Sequence, residues 1–167
     1  VHANRLFLSF GPSLQFSEVG DPMAWSPVVG AGEISAGSNI TGLLSLTGES
    51  NESALLVSTE KRLLVLYGDG AHDFPLIQFS ENTGAMPRTL QWIGRAVFQS
   101  NFGLSSMTAS QAFGGFAASS ISDQIKPFMD ERRSKATASM IVRNKNQYRL
   151  FFDDGSGVYV TFRPNRD

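Results

Sequence analysis

Cysteine is absent from the 167-residue chain. That excludes disulfides, Cys-ligated zinc, iron–sulfur clusters and thiol nucleophiles, and leaves the compartment open. Histidine is nearly absent: His2 and His72 are all there is, far apart in sequence. A two-histidine zinc site therefore has little support, and His2 is expected near a mobile terminus. Charge is also scarce. Charged residues make up 17% of the chain, against about 25% in an ordinary soluble domain. Such a composition leads one to expect extensive burial, with partner subunits as one place for it. The net charge of −1 gives no general basic surface for nucleic acid, because tight sequence-independent DNA binding draws on several Lys or Arg contacts to phosphate. No apolar run is long enough for a transmembrane helix.

Recognisable catalytic motifs are missing too. No Gly-x-Ser-x-Gly elbow occurs, so the hydrolase nucleophile turn is excluded. "GDG" and "FGGF" lack the spacing and the Lys-Ser/Thr of a phosphate loop. "FGGF", Phe113–Phe116, reads instead as backbone passing close to a neighbour. The Ser-x-Asp-x-Gly boxes of sialidase-like propellers are not found. His72 in "GDGAHDF", with Asp69 or Asp73 as partner, is a formal base candidate; an exposed turn histidine explains it as well. "DDGSG", Asp153–Gly157, lacks the alternating oxygens and distant Glu of a calcium loop and reads as a hairpin turn. "DER", Asp130–Arg132, reads as a solvated face. The sequons at Asn39 and Asn51 matter only in a secreted eukaryotic protein. No catalytic, metal or cofactor-binding residue is expected.

What the chain does contain is short extended apolar segments. Arg5–Phe10, Leu14–Ser17, Ile40–Leu46, Ala54–Thr59, Arg62–Tyr67, Leu76–Ser80, Thr89–Ile93, Arg95–Gln99, Ala136–Arg143, Tyr148–Phe152 and Val158–Arg163 read as strands. In the last of these Val158, Val160 and Phe162 alternate with Tyr159, Thr161 and Arg163, predicting one buried face and one exposed. Four stretches look alike, each a strand, a tight turn and a strand: "RLFLSFGPSLQFSEV", "ALLVSTEKRLLVLYG", "RAVFQSNFGLSSMTA" and "YRLFFDDGSGVYVTF". They recur roughly every 40–50 residues, the period of propeller blades. The expected fold is mainly β, with antiparallel propeller-like blades forming a partial or complete propeller; a β-sandwich is the competing architecture. One segment, Ser120–Arg133, reads as a short helix, with Ser122 as its cap, Pro127 in the first turn, and Ile125, Phe128 and Met129 as an apolar stripe. The whole chain, 1–167, is expected to be a single β-propeller-like domain. It begins "VHANRLF", without an initiator Met or the features of a signal peptide, and so reads as part of a longer chain.

The stretch "QFSEVGDPMAW", Gln15–Trp25, reads as a structural corner. Phe16 packs into the blade, Gly20 lets the chain turn beside Asp21, Pro22 fixes φ and ends sheet pairing, and Trp25 covers an edge. A ligand loop using Glu18 and Asp21 is the alternative, without a third polar ligand or base to support it.

With the strand before it, this stretch also carries a resemblance. "NRLFLSFGPSLQFSEVGDPMAW" resembles a recurring segment of bacteriophage tail proteins, in which a strand reading roughly "NRLWFS" leads to "(Y/F)-S-x-x-G-D-P-x-x-(W/F)". Asn4–Phe10, Phe16, Ser17, Gly20, Asp21, Pro22 and Trp25 carry the match. "ITGLLSLTGESNESALLVSTEKRLLVLYGDG", "NTGAMPRTLQWIGRAVFQSNFGL" and "SISDQIKPFM" follow in the same order as similar segments of that family. The nearest resemblance is to the tail nozzle (tail tubular) proteins of short-tailed phages, then to propeller-type tail hub or stabilisation proteins. Family nozzles are much longer, so this chain corresponds to part of one or to a reduced version.

The resemblance implies a non-enzymatic structural virion protein, made in the bacterial host cytoplasm and located in the phage tail. It implies a ring of copies, usually six, forming part of the wall through which DNA is ejected. Adaptor or portal-side proteins and tail fibres or spikes would be neighbours, DNA contact would be transient, and no membrane insertion or cofactor is implied. The Ser-rich stretch Ser105–Ser122 is expected at subunit contacts or to order on assembly. Two other functions compete: a propeller-type interaction module binding a peptide or protein, and a carbohydrate-active tail enzyme. The enzyme would need paired carboxylates about 5–10 Å apart, with aromatics beside Glu18, Asp21 or Asp73 as a structural hint.

Overall fold

A computed structural model describes residues 1–47, 53–68, 74–110 and 115–163. The fold is mainly β, built of four antiparallel blade-like sheets of three or four strands with one short helix. The chain divides into two compact units, Val1–Gly84 and Ala85–Asp167. Each unit contains one three-stranded and one four-stranded sheet, and every strand pairs only with its neighbours in sequence.

In the first unit, β1 (Phe7–Phe10), β2 (Ser13–Phe16) and β3 (Gly32–Ser35) form one sheet, in that order. β4 (Ile40–Thr47), β5 (Ser53–Thr59), β6 (Leu63–Leu66) and β7 (Leu76–Ser80) form the other. The second unit opens with β8 (Gln91–Trp92), β9 (Ala96–Ser100), β10 (Gly103–Ser110) and β11 (Gly115–Ser120). After a 3-10 turn, Asp123–Ile125, and helix α1 (Lys126–Glu131), it closes with β12 (Ala136–Val142), β13 (Gln147–Phe152) and β14 (Gly157–Thr161). The four look-alike segments form the hairpins β1–β2, β5–β6, β9–β10 and β13–β14, one in each sheet.

Burial separates the sheets into two kinds. In the second and third, successive residues are buried alike: all of Leu63–Leu66 and all of Ala96–Ser100. Both faces of those strands are therefore covered, since neighbours along a strand point to opposite sides. The first and last sheets bury one face only. β13 follows the alternation of a one-sided sheet up to Phe152, and β14 reads exposed, half-buried, exposed along its length. Val158, Val160 and Phe162 pack on the buried cluster of Val97, Leu104, Met129, Tyr148, Leu150 and Phe152, on the side the sequence alternation indicated.

The buried face of the first sheet explains one of its glycines. Phe16 stands directly across from Gly32 in the register. A Cβ built on Gly32 would lie 2.6 Å from the tip of the Phe16 ring, so the ring lies over the bare backbone. From there it joins Phe7, Leu14, Leu55, Val57, Leu64 and Leu66 in the core of this unit.

Two sequence readings need correction. β3 and β11 were not anticipated as separate strands, because "GEIS" and "GFAASS" carry too little apolar pattern. Within the Ser-rich stretch, β10 and β11 pair from Ser105–Ser120 outward. Ser122 does not cap α1 with its side chain; it is buried and its hydroxyl accepts from the Leu104 N–H. Only the helix itself matches: Pro127 lies in its first turn, Met129 is buried and Phe128 half-buried, with Ile125 more exposed. Among the described residues no helix is long and apolar enough to cross a membrane.

Gly32→Ala is expected to force the Phe16 ring out of place and cost about 1–3 kcal/mol, as overpacking in a core does. The readout is a lower urea midpoint at unchanged slope; an unchanged midpoint would show that the ring has room to move.

Candidate functional site

The Gln15–Trp25 corner is built around Arg5. A tight turn joins His2 to Arg5, with reciprocal backbone bonds and left-handed Ala3 and Asn4 at its centre. Both flanking side chains enter the interior; Arg5 is 2% exposed. One terminal nitrogen of its guanidinium donates to the carbonyls of Ser17 and Gly30, each at 2.7 Å. The guanidinium carbon lies 5.4 Å from the centre of the Phe16 ring and 5.9 Å from that of Phe74. Among the described residues no carboxylate pairs with it, and its Nε has no partner. The charge is held by two carbonyl dipoles and two aromatic faces.

Those two carbonyls sit at the two ends of the corner. At its start, Ser17 Oγ accepts from the Leu6 N–H and donates to the Glu18 carbonyl. The chain then doubles back: Glu18 and Asp21 form an isolated antiparallel bridge, and the Glu18 N–H donates to Ala24. Gly20 turns at φ +77° and donates to the Asn4 carbonyl, a conformation that favours glycine. Asp21 Oδ1 accepts from the Met23 N–H, an Asx turn that leads through Pro22. Trp25 donates its indole N–H to the Pro22 carbonyl at 2.9 Å. Ser26 then caps a 3-10 turn, Pro27–Val29, which ends at left-handed Gly30, whose carbonyl reaches Arg5. Phe16, Gly20, Asp21, Pro22 and Trp25 thus each have a local structural role. The Asp21 carboxylate is engaged in the turn beside Trp25, and Glu18 lies across the bridge from it.

His2 departs from expectation. It is buried, not loose, and packs against Phe7 and Phe74 at 5.8 and 6.4 Å between ring centres. Its Nε2 lies 3.1 Å from the Gly68 carbonyl. A carbonyl only accepts, so Nε2 carries the proton and Nδ1, buried without a partner, is the bare acceptor. Burial pushes the imidazole below its ordinary pKa, and the Gly68 carbonyl opposes this. His72, Asp69, Asp73 and Asn51 lie outside the described residues, as does part of "FGGF".

In the second unit the "DDGSG" turn closes on itself. Asp154 Oδ1 accepts from the backbone N–H and the hydroxyl of Ser156. Those two bonds, with Arg132 adding to them, hold the carboxyl below its ordinary pKa. Arg132 reaches Asp154 Oδ2 at 2.8 Å and Ser156 Oγ at 3.0 Å, and lies 4.0 Å over the Phe128 ring. It therefore anchors α1 to the β13–β14 turn; of the "DER" residues, Asp130 and Glu131 lie on a solvated face as expected and Arg132 does not. Nearby, Tyr148 and Thr89 are satisfied internally, whereas Gln99 Oε1 is buried with no partner among the described residues. Tyr148 donates to the Thr89 carbonyl at 2.7 Å, and burial raises its phenol above the usual range. Thr89 Oγ1 donates to Met86 and accepts from the Gln99 N–H. Among the described residues no group of three or more His, Cys, Asp or Glu is placed to hold a metal.

Two of the surface recesses differ in charge. One, about 260 Å³, has Gln15, Trp25, Pro27 and Glu33 on its walls. The other, about 440 Å³, lies over β13 and β14 beside Lys145, Arg149, Phe151 and Tyr159. Their opposite charges follow the chain as a whole. Residues 1–84 contain three Lys or Arg against nine Asp or Glu; residues 85–167 contain eleven against six. The near-zero total conceals an acidic half and a basic half, and counting charge by halves would have found them.

Two outcomes are expected. Arg5→Met keeps the apolar stem but leaves the Ser17 and Gly30 carbonyls unpaired, costing about 2–4 kcal/mol in urea unfolding; a loss well under about 1 kcal/mol would remove Arg5 from its central place. For His2, the unfolded chain takes up a proton more readily than the folded one. Its contribution to stability is therefore constant above its ordinary pKa of 6.5 and declines as the pH falls from there toward the lowered folded value. Relative to the wild type, His2→Gln should flatten the acid side of the stability–pH curve; parallel curves would exclude the burial effect.

No protein-family model matches the chain, and no curated protein matches it.

Proposed function

We propose that this chain is a structural component of a short-tailed phage tail, forming part of the nozzle or tube wall through a ring of its own copies. The observation that carries the reading is the folded form of the Asn4–Trp25 segment, on which the resemblance rests most heavily. Its polar groups are spent on a rigid corner, from Arg5 through Ser17 and Asp21 to Trp25. A wall protein needs such fixed corners between sheets. The blade-like meanders and the satisfied Asp154 turn are compatible with the same role.

In this reading the acidic and basic halves face different neighbours, and DNA passes with weak, transient contact. Tight phosphate binding would slow passage. Subunit contacts in a ring are heterologous: one surface of each copy meets a different surface of the next, and rotation closes the set.

The test is the mass and rotational symmetry of the native assembly, read by light scattering and negative-stain imaging. A closed ring, six-fold in the expected case, supports the proposal. A protein that stays monomeric at every concentration, alone and with its tail neighbours, refutes it.

A further inference from the structure

The first and last sheets each leave one face open, and the register shows what stands there. Across the first sheet, Leu8, Gln15 and Glu33 form one row; Phe10, Ser13 and Ser35 form the next. Phe10 is 80% exposed, and Leu8 and Glu33 are exposed as well. Across the last sheet, Met140, Arg149 and Tyr159 form a row, with Phe151 and Gly157 beside it. Tyr159 is 69% exposed, and Met140 and Phe151 are also open. Phe151 lies close to Gly157, where an added Cβ would come 3.5 Å from its ring. Arg149 is held by the Gln147 side-chain oxygen at 3.0 Å, which fixes its charge near Tyr159.

Both faces thus combine large exposed apolar side chains with charge of one sign, and the signs are opposite. Isolated exposed apolar residues need no explanation, whereas rows of them rimmed by charge mark interaction surfaces. Two faces of like charge would repel in a self-pairing contact; faces of opposite charge favour a head-to-tail one.

We propose that the open face of β12–β14 docks on the open face of β1–β3 of a second copy, with Arg149 and Lys145 set against Glu33, and Leu8 and Phe10 covering Met140, Phe151 and Tyr159. This rests on the reading that copies join in a ring, and names the surfaces that join them. The unequal charge of the two halves, outside these rows, steers the same orientation during encounter.

A mixing experiment on the full chain tests it, with sedimentation velocity for mass and negative-stain imaging for symmetry. Glu33→Arg alters the first face alone, Arg149→Glu the last alone, and Lys145→Glu is a second variant of the last face. Circular dichroism confirms that each folds. The wild type should associate with concentration and weaken as sodium chloride rises from about 50 mM to about 500 mM, because screening shortens the reach of charge. Each variant should bind itself about tenfold more weakly or worse. An equimolar mixture of Glu33→Arg and Arg149→Glu should regain association that neither variant shows alone, because the unaltered faces of the two meet and the two reversed charges are again opposite. Rings that form with unchanged mass and affinity in all three variants overturn this interface and leave the ring reading intact. A wild type that is monomeric throughout overturns both. If Arg149→Glu keeps its assembly mass but loses binding to a fluorescent DNA duplex, the last face belongs to nucleic acid and the proposal fails.

Discussion

A buried guanidinium with no carboxylate partner among the described residues sets the terms for the first unit. Arg5 must find oxygen acceptors in the interior, because an unpaired buried charge costs several kcal/mol. The Ser17 and Gly30 carbonyls supply them. To do so, the chain between these residues must turn back on itself. The Glu18–Asp21 bridge, the Asx turn at Asp21 and the 3-10 turn after Ser26 accomplish this. Phe16 and Phe74 complete the shell and belong at the same time to the apolar core or its border. The corner and the core are therefore one structure, and neither can be rearranged alone.

The second unit reaches the same rigidity by a different device. There Arg132 does have a carboxylate, Asp154, and a ring beneath it, Phe128. The pair lies at a turn and is partly open to water, so it locates the helix more than it stabilises the unit. Inside, Tyr148, Thr89 and Gln99 form a connected polar chain within an otherwise apolar cluster. Such chains favour one arrangement of the strands, since any slip in register would leave a buried group without a partner.

Much of the architecture was legible from local pattern. The four hairpins announced themselves through paired apolar runs around Gly-Pro, Thr-Glu-Lys, Asn-Phe-Gly and Asp-Asp-Gly turns. The corner at Gly20–Trp25 was readable for the same reason, because Gly, Asp and Pro act on their own backbone. What escaped was set by distant neighbours. β3 is a strand because β2 offers it an edge and Phe16 needs a glycine beneath it. Ser122 looked like a cap, but its hydroxyl was claimed by Leu104, eighteen positions away. His2 looked like a terminal fringe and Arg5 like the first residue of a strand, and only the folded chain shows Gly68, Phe74 and Gly30 enclosing them.

Because each strand joins the one before or after it in sequence, the sheets require few distant meetings of chain. Loop-closure entropy is then modest for a β protein, and a low contact order places such topologies toward the faster end of their class. Each hairpin is able to nucleate its own sheet during synthesis, before later segments have emerged. The slow events would be the docking of preformed sheets, when buried groups such as Arg5 lose their water.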